Sequence, residues 1–274
     1  MARTAKALGS GLAGAWVWAL AGAAQAVQPY NMPVGVTEIS REVYDLHMII
    51  FWICVAIGVV VFGAMFYSIL KHRKSKGHEP AQFHESTTVE IIWTVIPFAI
   101  LIFMAVPAAK TLIQMYDASD ADMTVKITGY QWKWKYDYVD EGISFYSNLA
   151  TPADQIYASA KKDDNYLLEV DNELVVPVGK RIRFLITADD VIHAWWVPDL
   201  AVKKDAIPGF INDFWTKIDK PGVYRGQCAE LCGRYHGFMP IVVRAVEPAE
   251  YEQWVAEHKA KSMAEADADA AEAG

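Results

Sequence analysis

The chain has 274 residues, 53% of them hydrophobic and 21% charged, with a mean hydropathy of +0.12 and a formal net charge of −8. That length allows one or two domains with a sizeable core, and the acidic balance argues against a nucleic-acid partner. So much apolar content beside so many charges means that the apolar residues are segregated along the chain.

The first apolar run, Ala7 to Ala26, follows Arg3 and Lys6, is rich in Ala and Gly, and closes on Ala24-Gln25-Ala26. Positive charge, a short apolar stretch and a small-x-small ending predict a secretory signal peptide over 1–26, cut after Ala26. The alternative is a weakly hydrophobic helix that stays in the membrane. No cysteine follows the run, so it offers no lipid-acylation site.

The second run, Met48 to Leu70, is uncharged over 23 residues, about 34 Å as a helix and enough for a bilayer core. The third, Ile91 to Ala109, is also uncharged and carries Pro97 and Pro107, which a membrane bundle accommodates better than a soluble helix does. A transmembrane hairpin in the lipid bilayer is predicted over 27–116, with helices at about 44–70 and 91–115. Lys71, Arg73, Lys74 and Lys76 follow the second run directly. The positive-inside rule puts this short loop in the cytoplasm and both ends of the mature chain outside.

After the hairpin the period changes to two. "MTVKIT" alternates, and so does "YQWKWKYDY", with Trp132, Trp134, Tyr136 and Tyr138 on one face. "YLLEV", "ELVVP", "RIRFLIT", "FWTKI", "GVYRGQC" and "MPIVVRAV" read as further strands, punctuated by Gly, Pro, Asn and Asp. The pattern predicts an all-β sandwich over 117–248. A helix opened by Pro248 comes next, ending in a low-complexity acidic tail expected to be disordered; together they make up 249–274. From Thr111 onward there are 27 Asp+Glu against 17 Lys+Arg, a net charge of −10. An acidic exported domain suits a basic protein partner or serves solubility alone.

The chemistry concentrates in "GQCAELCGRYHGFMP", a Cys-x3-Cys-x3-His-x2-Met frame formed by Cys228, Cys232, His236 and Met239. From the thiols alone, a disulfide or a zinc site remains open. A c-type haem is excluded, because no Cys-x-x-Cys-His run exists. Met239 favours copper, since thioether, thiolate and imidazole are its soft donor set. His193, in "DDVIHAWWVP", supplies a second imidazole from an earlier loop of the sandwich. Two thiolates can bridge two copper ions, each capped by an imidazole and a weaker ligand. Such a closed centre transfers electrons and offers no open position for substrate.

With these residues in view, the chain resembles subunit II of the haem–copper cytochrome c oxidases, bacterial type. The motifs that carry the likeness are the copper loop, "VEIIWTVIP", "GYQWKWKYDY" and "DDVIHAWWVPDLAVKKDAIPG". The resemblance implies a two-helix transmembrane hairpin followed by a cupredoxin-like Greek-key sandwich, placed in a bacterial inner membrane with both termini periplasmic. It implies a binuclear copper centre, CuA, held by His193, Cys228, Cys232, His236, Met239 and the carbonyl of Glu230. It makes Trp132 the point where electrons arrive from cytochrome c. The Glu230 carboxylate becomes a ligand of magnesium or manganese at the interface with subunit I. Glu90 becomes the entrance of a proton pathway, and Asp137 and Asp190 become docking acids. The enzyme is then the whole complex, which reduces oxygen to water, and this subunit is its electron carrier. A copper electron-transfer domain of another respiratory reductase is the alternative. Two positions depart from the family pattern: Lys133 stands beside Trp132, and Phe210 follows "PG" where many members have Arg.

Overall fold

The computed structural model describes residues 31–272 apart from 78, 80, 81, 83 and 158. The expected signal peptide, 1–26, lies outside the described residues. Helix α1 spans Glu38–Lys71 and α2 spans Thr87–Tyr116. Both are long and apolar enough to cross a membrane, and Pro97 and Pro107 sit inside α2. Each begins earlier than its apolar run. Thr37 and Ser40 exchange side-chain-to-backbone hydrogen bonds as a capping box, so the polar turns before Met48 are already helical.

Several side chains tie the hairpin to the C-terminal part of the chain. Arg41 pairs with Asp219 at 2.6 Å, Trp215 Nε1 donates to the Gln114 carbonyl, and Lys204 Nζ donates to the Tyr116 hydroxyl. Gln114 Nε2 also donates to Glu42, linking α2 to α1.

Ten strands succeed the hairpin: β1 Met123–Tyr130, β2 Lys133–Tyr138, β3 Ile143–Ser147, β4 Leu174–Pro177, β5 Ile182–Ala188, β6 His193–Val197, β7 Val202–Ala206, β8 Asn212–Thr216, β9 Gly222–Cys228 and β10 Pro240–Val246. They form two five-stranded sheets, ordered β3-β2-β1-β5-β8 and β4-β10-β9-β6-β7. The β1–β5 and β4–β10 pairs are parallel and the other pairs antiparallel. Val125, Ile127, Trp134, Tyr136 and Phe184 of one sheet meet Leu174, Val176, Trp195, Ile241 and Val243 of the other in a fully or almost fully buried core. The Tyr138 hydroxyl joins the sheets, donating to the Val175 carbonyl and accepting from its N–H. The result is the expected cupredoxin-like sandwich.

Three local expectations change. "YLLEV" is a turn: Leu167 has φ 61°, outside any strand region, and only Val170 pairs, in an isolated bridge to Leu149. Trp132 is not part of the alternating face. The β1–β2 ladder closes at Tyr130 opposite Lys133, which leaves Gln131 and Trp132 as the turn. Helix α3 runs Pro248–Glu272, through most of the tail expected to be disordered, in keeping with the helix preference of its Ala and Glu residues. Its Tyr251 and Trp254 pack onto the sandwich, Trp254 lying 5.0 Å from the Tyr138 ring.

Candidate metal centre

Two neighbouring strands and one loop deliver the cluster. His193 is the first residue of β6, where the sequence suggested a loop, and Cys228 is the last residue of β9. These strands pair with Trp195 opposite Cys228, and the Ala229 N–H donates to the Ala194 carbonyl at 3.0 Å. Strand pairing thus closes a sequence gap of 35 residues. Beyond Cys228 the chain leaves the sheet, passes Cys232, makes a tight turn at His236–Phe238 and returns as β10. The Cys228 N–H donates to the Met239 carbonyl at 3.0 Å and closes the base of the loop.

The donors converge in pairs. The two sulfurs lie 3.8 Å apart, beyond the length of a disulfide bond, and both thiols are free. His193 Nδ1 lies 3.9 Å from Cys228 Sγ, and His236 Nδ1 lies 3.6 Å from Cys232 Sγ. The Cys228 thiol also reaches the Glu230 carbonyl at 3.4 Å. His193, Cys228, Cys232 and Met239 are buried, His236 is half-buried, and the Glu230 side chain is exposed. His193, Cys228 and Cys232 place ligand atoms within 4.8 Å of one another; His236 is not in that group. One tetrahedral zinc would draw all four donors to a point. Two thiols, each facing its own imidazole, offer the soft donors that suit copper.

Electrostatics distinguishes the thiols. At Cys228 burial pushes the thiol up, but hydrogen bonding to His193 and to backbone at Ala194 outweighs it and brings the value down to about 7. Burial and the adjacent Cys228 push Cys232 up to about 12. One proton therefore leaves more readily than the second, as expected for two like charges in contact. Burial depresses His193, yet its contacts with Cys228 and Asp190 leave it above its ordinary value.

The β1–β2 turn lies on the copper loop. Gln131 Nε2 and Trp132 Nε1 both donate to the Cys232 carbonyl, at 2.9 and 3.2 Å. The Trp132 ring meets Tyr235 edge-on at 4.8 Å, and with Leu149, Tyr157 and Phe238 they line a shallow cleft of about 400 Å³. Gly233, at φ +117°, permits this approach: a Cβ there would sit 3.0 Å from Gln131 Nε2. Lys133 stacks its ammonium over the Tyr146 ring at 4.1 Å. Phe210 is exposed.

The remaining candidates are spread out. Glu90 is exposed in the first turn of α2, with its N–H donating to the Ser86 carbonyl. Asp137 sits on β2, held by Lys135 at 2.9 Å and by the Ser144 hydroxyl at 2.6 Å. Asp190 is engaged at the metal cluster itself, 2.9 Å from His193 Nε2. Burial raises its carboxyl, but hydrogen bonds from His193 and from the N–H groups of Gln131 and Val191 outweigh burial and hold it below the usual range. Sequence reasoning missed the contacts of Asp190 with His193 and Gln131, and the approach of Gly129 to His193. The three-residue spacing of Asp190 and His193 was the one local signal.

A cluster of soft donors at one end of a cupredoxin-like sandwich, tethered by two helices of membrane-spanning length, defines a membrane-anchored copper electron-transfer protein. Residues 123–246 match the periplasmic domain of cytochrome c oxidase subunit II and residues 24–111 match its transmembrane domain. The chain belongs to the cytochrome c oxidase subunit II family, the subunit through which electrons from cytochrome c enter a haem–copper terminal oxidase. A probable cytochrome c oxidase subunit 2 of Rickettsia bellii is 41% identical over 220 residues, covering 80% of each chain. The mitochondrial subunit 2 of Glycine max is 40% identical, over 80% of this chain and 56% of that one. The solved periplasmic domain of subunit II of cytochrome oxidase from Bradyrhizobium japonicum is 47% identical over 53% of this chain and 98% of that one, with a TM-score of 0.47.

Proposed function

We propose that His193, Cys228, Cys232, His236 and Met239, with the Glu230 carbonyl, hold two copper ions, and that Trp132 receives the electrons of cytochrome c. The observation that carries this reading is the pairing of donors, two sulfurs 3.8 Å apart with one imidazole Nδ1 facing each. A copper pair bound there takes up and releases one electron at a time. The protein's part is to keep that pair dry and rigid: four of the five side chains are buried, and strand pairing fixes both ends of the loop. Trp132 serves reception because its indole N–H ends on the Cys232 backbone while its ring borders an open cleft.

The peripheral assignments rest on the same reading. The Glu230 carboxylate, exposed while its carbonyl faces Cys228, is free to bind magnesium or manganese against subunit I. Glu90, at the loop end of α2, admits protons to the complex from the cytoplasmic side. The basic residues that end α1 and follow it support a reading in which that loop is cytoplasmic and the sandwich periplasmic, at a bacterial inner membrane. In this reading the segment 1–26 is a signal peptide, 27–116 the anchor, 117–248 the copper domain and 249–274 its C-terminal helix and acidic tail. Asp137, with both its contacts local, adds to the field that attracts cytochrome c.

Electron paramagnetic resonance of the intact, oxidised complex tests the centre. One unpaired electron shared by two copper nuclei is expected, and His193→Ala or Met239→Leu should disturb it. A signal from a single copper nucleus in this subunit, or zinc in its place, would overturn the assignment.

A further inference from the structure

Asp190 resembles a docking acid in sequence, and its partly exposed carboxylate is also bonded to the donor cluster. One oxygen, Oδ1, lies 2.9 Å from His193 Nε2 and accepts the Val191 N–H at 2.6 Å. The other, Oδ2, accepts the Gln131 N–H at 2.7 Å. Gln131 in turn donates through its side chain to the Cys232 carbonyl, which also receives the Trp132 indole. The circuit closes through the sulfurs, from Cys232 to Cys228 and back to His193 Nδ1.

We propose that Asp190 is a positioning residue that ties the copper ligand His193 to the turn carrying Trp132, so that one carboxylate sets both the ligand's orientation and the seat of the electron-receiving ring. The inference rests on the copper assignment above. An imidazole that donates Nε2–H to a carboxylate keeps its proton on Nε2 and turns the Nδ1 lone pair toward the metal. His193 is fully buried with Asp190 in place, and the Asp190 side chain, about 30% exposed, stands between the ring and solvent. The second oxygen extends the restraint to a turn that no strand pairing fixes, because the β1–β2 ladder stops at Tyr130 and Lys133. With the proton on Nε2, the His193 ring and the Gln131 backbone both meet Asp190 as N–H donors. Asparagine can accept from only one of them and would point an amide N–H₂ at the other, so Asp190→Asn breaks one arm of the tie while keeping the shape of the side chain.

The test uses the intact oxidase carrying Asp190→Asn, Asp190→Ala, Gln131→Ala or Asp137→Asn. Copper resonance, copper retention against a chelator, and kcat and KM for cytochrome c across ionic strengths are read together. Asp190→Asn should lower copper retention about ten-fold, the effect typical of lost ligand-orienting partners. It should also change the copper hyperfine pattern and reduce kcat, with KM and its salt dependence altered no more than by Asp137→Asn, which removes the same charge. Gln131→Ala, cutting the tie at its other end, should reduce kcat with a smaller change in the copper signal. Asp137→Asn should leave the copper signal alone. A wild-type copper signal and retention in Asp190→Asn, with KM raised and its salt dependence flattened, would make Asp190 a docking acid and overturn the proposal. If Asp190→Ala does not assemble, the shape-preserving Asn variant decides. Failure of the underlying copper assignment is a separate result, visible as the absence of a two-nucleus signal in the wild type.

Discussion

Gly129 decides where His193 can sit. A Cβ on Gly129 would lie 2.8 Å from His193 Cδ2 and 3.0 Å from Cγ, closer than real side chains approach. The imidazole is confined on its other sides by Asp190, Cys228 and the Trp134 ring at 5.9 Å, so it has no free direction in which to yield. Gly129→Ala should therefore displace His193 and perturb the copper signal, at an overpacking cost of about 1–3 kcal/mol in stability. Resonance and thermal unfolding of the variant oxidase check this; an unchanged copper signal would show that the imidazole's place does not depend on the glycine. The copper loop is the opposite case. Cys228, Cys232, His236 and Met239 were legible because their spacing is local and their chemistry soft. Gly129 and Gln131 were not, because their contacts lie far along the chain: 59 residues separate Gln131 from Asp190 and 101 separate it from Cys232. No pattern within one stretch of chain records such a meeting.

Elements were legible where one face is buried and the other is not. β1, β2 and β5 alternate buried with half-buried positions along most of their length, and their sequences alternate in step. β6 is buried at four of five positions and β7 carries charge at its three central ones, so neither shows a period. Apolar composition misled at 166–170, where Leu167 turns the chain through positive φ. The helices were legible from length and lack of charge, and their ends were not. Glu90 belongs to such an end. As an acid in the first turn of α2 it stabilises the helix by about 0.3–1 kcal/mol, an effect that Glu90→Gln would remove without consequence for electron flow. If it also admits protons, the same substitution should slow reduction of the haem site by about an order of magnitude or more while copper reduction by cytochrome c stays at the wild-type rate. Stopped-flow reduction followed at both centres separates the roles, and normal haem-site kinetics would leave Glu90 as a helix-terminal acid only.

Charge is distributed unevenly over the molecule. Residues 111–274 carry −10 of a chain whose total is only −8, and the lysines and arginine around the end of α1 belong to the opposite end of the hairpin. Several acids of the sandwich are locally compensated, Asp213 by Arg183, Glu169 by Arg225 and Glu173 by Arg244. The excess therefore acts as a diffuse field, and contacts of that kind affect the rate of encounter more than the strength of the final complex. With a screening length of about 8 Å at physiological salt, the rate of copper reduction by a basic cytochrome c should fall as ionic strength rises. Trp132→Gln removes no charge, so it should lower the limiting rate of electron transfer and leave the salt slope where it was. Stopped-flow reduction of both proteins across a salt series measures the two quantities independently. A flat wild-type slope would reduce the acidity to a solubilising role, and an unchanged limiting rate in the variant would remove Trp132 as the receiving ring even if the slope holds. Because steering belongs to the summed charge and reception to one indole on the Cys232 carbonyl, either can fail without the other.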